Sequence, residues 1–384
     1  MKTPKYFNEK LPSGFVALYS GRMIQFVALG LIGLFLPIYL LTKFDLNITY
    51  VFLYYLVGHL LYALILPLGA RGINKIGFRR ALRWSVLFDS LFYVFVFLID
   101  TNRILYTALS LASLIMARIL FWLPYHTEFA VMTNNRERGK ELGLMYATKS
   151  VLDIIMPVAA GILITFFGFK FVFPISIIIM LTSVIPFMAL ESTHEKFSWK
   201  YLETWKHYFS KNNRKIVLAN MANGAENVVG IVIWPIFIWQ ILKGSYFAVG
   251  SISSLIVLIS VILQLTTGKV CDSMDKRKIL HWGTFLYALG WVAKIFVLTA
   301  FQIFIVGTYH SLVLIFKDTP FDVINYELNA DHGHYVDEYT VLKELAIQLG
   351  KVIMLIFTIL VASNLGLNWT FALAAIASLF INLL

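Results

Sequence analysis

Twelve long apolar runs, divided by short polar breaks, decide what this chain can fold into. They fall at 14–41, 47–68, 81–99, 103–123, 141–167 and 171–190, then at 215–242, 246–267, 279–300, 301–318, 341–363 and 366–384. Each is roughly 18 to 28 residues long, enough for an α-helix to cross the ~30 Å hydrocarbon core of a bilayer. Backbone groups there find no water, so only helices and closed barrels span it. The chain is 59% hydrophobic and 14% charged, against roughly a quarter charged in a soluble domain. The expected fold class is an all-α polytopic membrane protein with twelve transmembrane helices. The run 14–41 is too long for a signal-peptide core and no small-residue cleavage site follows it, so the first helix is expected to be retained. Within 279–318 the break between two spans is the least marked.

The net charge of +11 has a topological explanation. With the N-terminus inside, one side of the membrane collects Arg71, Lys75, Arg79, Arg80 and Arg83, and then Arg136, Arg138 and Lys140. The same side takes Lys196, Lys200, Lys206, Lys211, Arg214 and Lys215, and finally Lys269, Lys276, Arg277 and Lys278. The opposite loops carry Lys43, Arg103, Lys170 and Lys243. The positive-inside rule then places both termini in the cytoplasm, in a plasma or cell inner membrane. The basic residues face membrane lipid, and no nucleic-acid partner is needed to account for them. A single cysteine, Cys271, excludes an intramolecular disulfide and argues against a thiolate metal cluster.

The chain repeats itself. At an offset of 198, Asn74 meets Asp272, Arg79 meets Arg277, Arg80 meets Lys278, Leu82 meets Leu280 and Trp84 meets Trp282. Leu36-Pro37-Ile38-Tyr39 meets Trp234-Pro235-Ile236-Phe237 in the same register, and Pro124-Tyr125-His126 meets Pro320-Phe321-Asp322 at 196. Two pseudo-symmetric six-helix halves follow, 1–190 and 215–384, joined by a cytosolic amphipathic linker at 191–214. In that linker Phe197, Tyr201, Leu202, Trp205, Tyr208 and Phe209 recur at helical spacing among Lys and Glu, with Ser198 placed to cap the start. This pattern reads as a helix lying among headgroups.

The repeated loop resembles that of the major facilitator superfamily, G-x-x-x-D-R-x-G-R-R after the second helix. The first copy supplies Ala70, Asn74, Lys75, Gly77, Arg79 and Arg80; the second supplies Gly268, Asp272, Arg277 and Lys278. The resemblance implies a gating latch on the cytosolic side. Asn74 stands where the family has an acid, and Asp275 where it has its second glycine, which places the firmer latch in the second half. In the fifth helix, Pro157-Val158-Ala159-Ala160-Gly161 resembles the family's G-P-x-x-G-G antiporter signature, with Met156 and Ala160 in place of glycines. The resemblance also implies that helices 1, 4, 7 and 10 face a central cavity, with 2, 5, 8 and 11 behind and 3, 6, 9 and 12 toward lipid.

A charge at mid-bilayer costs upward of about 2.5 kcal/mol and must face protein or water. Asp153, Glu226 and Asp89 are the candidate proton-coupling acids, since a carboxyl in a low dielectric can load and release a proton. Arg22, Gln25, Arg118, Asn223, His310, Tyr39 and Trp234 are the candidate cavity residues, and Arg118 could pair with Asp153. Gln25 and Asn223 occupy equivalent positions in the repeat. Each charge is equally readable as part of a permanent ion pair, and each aromatic near a helix end as an interface anchor.

Asp331 to Glu338 contains two histidines two residues apart, which read as a solvated loop rather than a metal site. No P-loop, dinucleotide fingerprint or nucleophile elbow occurs, and no cofactor is expected. The expected function is a monomeric, proton-coupled secondary transporter working by alternating access, exporting small organic compounds. Two alternatives stay open: uptake of a small nutrient, which Arg22 and Arg118 would hold if it is anionic, or a polytopic lipid-modifying enzyme using His126 and Glu128.

Overall fold

The computed structural model describes residues 11–132, 138–190, 197–271, 275–330 and 336–384. They form helices and, among the described residues, no strand. The N-terminal elements are α1 (Ser13–Ile32), α2 (Leu36–Lys43), α3 (Ile48–Ile76), α4 (Phe78–Phe97), α5 (Arg103–Met132), α6 (Arg138–Phe167), α7 (Phe169–Thr182) and α8 (Val184–Met188). After α9 (Tyr201–Tyr208) come α10 (Arg214–Val228), a π-helical turn Val229–Ile233, α11 (Trp234–Ile241) and α12 (Tyr246–Cys271). The chain ends with α13 (Lys276–Ile295), α14 (Ala300–Ala330), α15 (Val336–Asn364) and α16 (Thr370–Phe380).

Nine helical stretches of the described residues are long and apolar enough to cross a membrane. Among the helices outside that set, α4 and α13 are too polar for their length. Arg79, Arg80, Arg83 and Asp89 lie in α4, and Lys276, Arg277, Lys278 and Lys294 in α13. The last apolar helical stretch, Leu367–Leu383, is shorter.

Helix boundaries follow local chemistry. Asn47 caps α3 by accepting the Thr49 N–H at 3.0 Å. At the α3–α4 junction Gly77 has φ +81°, a conformation that side-chain-bearing residues avoid. At the equivalent place in the repeat Asp275 caps α13, its Oδ1 accepting from Arg277 N at 3.0 Å and Lys278 N at 3.1 Å. Two related turns are therefore made by different means. The break within 279–318 is set by Thr299 and Gln302: Gln302 Oε1 accepts from Leu298 N and Thr299 N, while Thr299 Oγ1 accepts from Gln302 N. That is a capping box.

The repeat offset recurs in the element boundaries. At the offset of 198, α2 matches α11 end for end, and the break Gly33–Phe35 falls on the π-helical turn. Both half-helices carry proline at their second residue, and α2 packs against α11. Elsewhere α6 packs on α12 and α3 on α15. Lipid tails give helices no hydrophobic reason to associate, so close packing of small residues has to supply it. Where α6 meets α12, a Cβ on Gly250 would stand 2.2 Å from Pro157 O, and one on Gly161 2.7 Å from Tyr246 O. Ser254 Oγ accepts the Val158 N–H at 3.0 Å, beside the proline break. The stretch Pro157–Gly161, matched above to an antiporter signature, thus serves helix contact here.

Candidate functional site

Glu226 and Asn223 stand one turn apart on α10. On α13, Tyr287, Trp291 and Lys294 recur at i, i+4 and i+7, and on α14 His310 and Lys317 are two turns apart, so each set shares a helix face. These faces converge. Lys317 Nζ donates to Glu226 Oε1 at 2.6 Å and Asn223 Oδ1 at 3.0 Å, and lies 2.9 Å from Asp318 Oδ1. All three of its N–H groups are thereby placed. Tyr287 OH donates to the other oxygen, Glu226 Oε2, at 3.0 Å. Lys317 and Glu226 are 1% and 3% exposed. Both charges are desolvated and both are fully matched, the condition under which a buried pair is tolerated. A cavity of about 230 Å³ opens on this cluster, lined by Asn223, Glu226, Tyr287, Lys317, Asp318 and Asp322 among others.

A second layer lies behind. The His310 ring stacks on Tyr287 with centroids 4.1 Å apart, and Lys294 Nζ is 3.0 Å from His310 Nδ1. Lys294 also sits over the rings of Trp291 at 3.8 Å and Trp234 at 4.4 Å. Helix 9 does present an apolar outer face, with Trp282, Phe285 and Leu289 exposed, but the expectation that it only faces lipid is corrected: Tyr287 and Lys294 of α13 point inward. A lysine in the middle of a span could have signalled this, because hydrocarbon cannot hold it.

The N-terminal helices build a different environment. Arg22 donates to Gln25 Oε1 at 3.1 Å and lies over the rings of Phe26, Phe121, Trp122 and Tyr125 at 4.3 to 5.5 Å. Among the described residues it has no salt-bridge partner, and the buried Gln25 Nε2 has no hydrogen-bond partner. Asp89 is half-buried and within electrostatic reach of Arg22 and Arg118. Lys149 pairs with Asp153 at 2.5 Å and approaches the other side of the Arg22 cage, 5.6 Å from the Phe26 ring.

Several expected placements differ. Arg118 does not meet Asp153; it lies 3.3 Å from His59 Nδ1, which is 2.6 Å from Gln348 Oε1 on α15. Tyr39 does not line the cavity. Its ring packs on Phe169 and Phe173 at 4.7 and 4.8 Å, because α2 turns it into the aromatic core. His310 and Trp234 are one layer removed from the cavity, reaching it through Tyr287 and Lys294. His126 stacks on Trp122 at 5.6 Å.

The loop residues also rearrange the reading. Ala70 is buried between helices. Asn74 caps nothing: it hydrogen-bonds Phe197. Arg79 and Arg83 both donate to Met188 O, at 2.7 and 3.1 Å, while Arg80, Arg277 and Lys278 are exposed. Gly268 lies within α12. Asp272, and the histidines of 331–335, lie outside the described residues. Ser198 is not the cap of α9; Lys200 occupies that position, with Glu203 accepting its N–H at 3.0 Å.

Long apolar helices with buried, paired charges beside a cavity describe a multi-span helical membrane protein. Solved structures agree. A peptide transporter POT in complex with sulfate superposes with a TM-score of 0.72 at 12% identity, covering 97% of this chain and 93% of that one. A mutant peptide transporter POT in complex with alafosfalin gives 0.68 at 10% identity, with the same coverage. These neighbours are transporters, not enzymes, and belong to the major facilitator superfamily, whose fold this chain has. No family model and no curated protein sequence matches it.

Proposed function

We propose that the chain is a secondary active transporter that takes up small, zwitterionic, peptide-like molecules in symport with protons. The observation that carries this reading is the Glu226–Lys317 pair at the cavity wall. In the proposed cycle this carboxylate, held by one lysine and one tyrosine, alternates between two arrangements. Charged, it keeps Lys317; protonated, it releases Lys317 to Asp318 and Asn223, which already contact it. Proton uptake would thus change what the cavity offers a ligand.

The two sides of the bundle are chemically distinct. The N-terminal helices offer Arg22, caged by aromatics and without a carboxylate of its own, beside Gln25, whose Nε2 has no hydrogen-bond partner. Those groups suit a substrate carboxylate. The C-terminal helices offer Glu226, Asp318 and Asp322, which suit an amine. A peptide-like molecule carries both ends. Asp153, paired with Lys149, and Asp89, near two arginines, would tune the cationic side rather than carry the coupled proton.

Uptake is preferred to export for two reasons. The stretch that favoured export, Pro157–Gly161, is accounted for by packing on α12. The solved neighbours are peptide transporters. In this reading the twelve expected spans are completed by α4, α13 and Leu367–Leu383, arranged as halves 1–190 and 215–384 about the linker. The face bearing Lys75, Arg79 and Lys276 is cytoplasmic, and alternating access comes from rocking one half against the other.

The test is accumulation of labelled di- and tripeptides in proteoliposomes under an imposed pH gradient, abolished by a protonophore. Transport of no peptide-like compound in either direction would overturn the proposal.

A further inference from the structure

The segment before α10 is a strap tied to α3 on one side and to α15 on the other. Asn74, on the last turn of α3, uses both ends of its amide on one residue. Its Nδ2 donates to Phe197 O at 2.7 Å and its Oδ1 accepts from Phe197 N at 3.0 Å. The next residue, Ser198, donates its N–H and hydroxyl to Glu338 Oε1 of α15, at 2.8 and 2.5 Å. Trp199 lies flat on His207, 4.0 Å between centroids, and Phe197, Trp199 and Tyr208 are buried in one cluster with Ile73 and Val341. Asn213 Nδ2 donates to His207 O at 3.0 Å, and α10 begins one residue later.

One face of the strap is left uncovered. Leu202, Trp205 and Phe209 recur at i, i+3 and i+7; Leu202 is 78% and Phe209 76% exposed, and the half-buried Trp205, which also packs on the cluster beneath, stacks its ring on Phe209. Around them Lys200, Lys206, Lys211, Arg214 and Lys215 are all exposed. The acid within the helix, Glu203, has a carboxylate oxygen on the Lys200 N–H. The height of this face is fixed by its anchors: the strap hangs from the last turn of α3 and runs into the first turn of α10, where membrane spans end and begin. An apolar stripe with a tryptophan and a cationic rim, held at that level, matches the headgroup layer of a negatively charged bilayer.

We propose that α9 and its flanks bind acidic phospholipid. The lysines and Arg214 hold headgroup phosphates, and Leu202, Trp205 and Phe209 enter the acyl boundary. Because the strap is fastened to α3 through Asn74 and to α15 through Glu338, bound acidic lipid also stabilises the contact between those helices at the basic face. Each basic residue near an anionic surface contributes about a fivefold factor in partitioning, and the attraction decays over ~10 Å at 0.1 M salt.

The full chain, with Cys271→Ser and an environment-sensitive fluorophore on Leu202→Cys, is placed in vesicles of phosphatidylcholine alone or mixed with phosphatidylglycerol. Expected is a blue shift in the anionic vesicles, reversed by high salt and lost in a Lys206→Glu/Lys211→Glu variant. The thermal midpoint of the unlabelled chain rises with phosphatidylglycerol, and that rise is absent from the charge-reversed variant. Equal emission in both compositions, or a shift indifferent to salt and to charge reversal, overturns the proposal. So does a thermal midpoint that rises equally in both proteins.

Discussion

Lys317 Nζ lies 2.6 Å from Glu226 Oε1, the two residues standing on α14 and α10, and both are almost wholly buried. Glu226 could not keep its charge there without Lys317, whereas Lys317 also has Asp318 beside it at 2.9 Å. Removing one partner of such a pair typically costs about 3–5 kcal/mol, whereas replacing both by neutral groups is far milder. Lys317→Met should therefore lower the thermal midpoint sharply, and adding Glu226→Gln should recover most of the loss. Thermal unfolding in detergent, read as a double-mutant cycle, checks this. Additive losses would mean that the two side chains do not act as a pair.

The contact of α6 with α12 has no room for a side chain. Gly250→Val places a branched Cβ where Pro157 O stands 2.2 Å away. Overpacking of this kind typically costs about 1–3 kcal/mol. The expected outcome is a lower midpoint together with impaired transport, since the helices would be wedged apart. Unchanged stability and flux would show that the contact is not close in the working protein.

Asn74→Asp restores the acid of the superfamily loop and should nonetheless weaken this protein. A carboxylate can still accept the Phe197 N–H but cannot donate to Phe197 O. An acceptor left facing an acceptor in a half-buried site costs on the order of 1 kcal/mol. Limited proteolysis of the strap should become faster in Asn74→Asp. A rate equal to or below that of the parent chain would contradict the two-way amide clasp.

On the opposite face, Arg103 donates to both oxygens of Asp45, at 2.7 and 3.1 Å. This holds the Asp45 carboxyl below its usual range. A depressed folded-state pKa means that the pair's contribution is present above the unfolded value, about 3.9, and is lost as pH falls through the folded one. Hydrogen exchange in the Phe44–Asn47 turn, expressed relative to the intrinsic amide rate at each pH, should stay constant from neutral pH down to that range and accelerate only below it. In Arg103→Gln the acceleration should begin at higher pH.

The sequence reveals elements better than encounters. Runs of apolar residues mark the spans, and the offset of 198 is itself a sequence property, so the matching of α2 to α11 was legible. The capping box at Thr299 and Gln302 could also have been read directly. The pairing of Glu226 with Lys317 could not, because 91 positions separate them and the chain holds many other charges. Tyr287 is not marked by the sequence, and Lys294, a charge inside a span, is kept from the cavity by a rule about which helices face lipid that a mid-span lysine already contradicts. Tyr39 shows the converse, an aromatic in a repeated motif that the fold uses for packing. Asn74 looked like a damaged copy of an acid until its two bonds to Phe197 gave the amide a use of its own.

Glu226→Gln measures the central claim most directly, with gradient-driven accumulation and substrate counterflow compared in the same proteoliposomes. A glutamine keeps the shape and can still accept from Lys317, but it cannot exchange a proton. The account predicts that accumulation under a pH gradient is lost while counterflow of a peptide substrate continues. Wild-type accumulation in Glu226→Gln would contradict it.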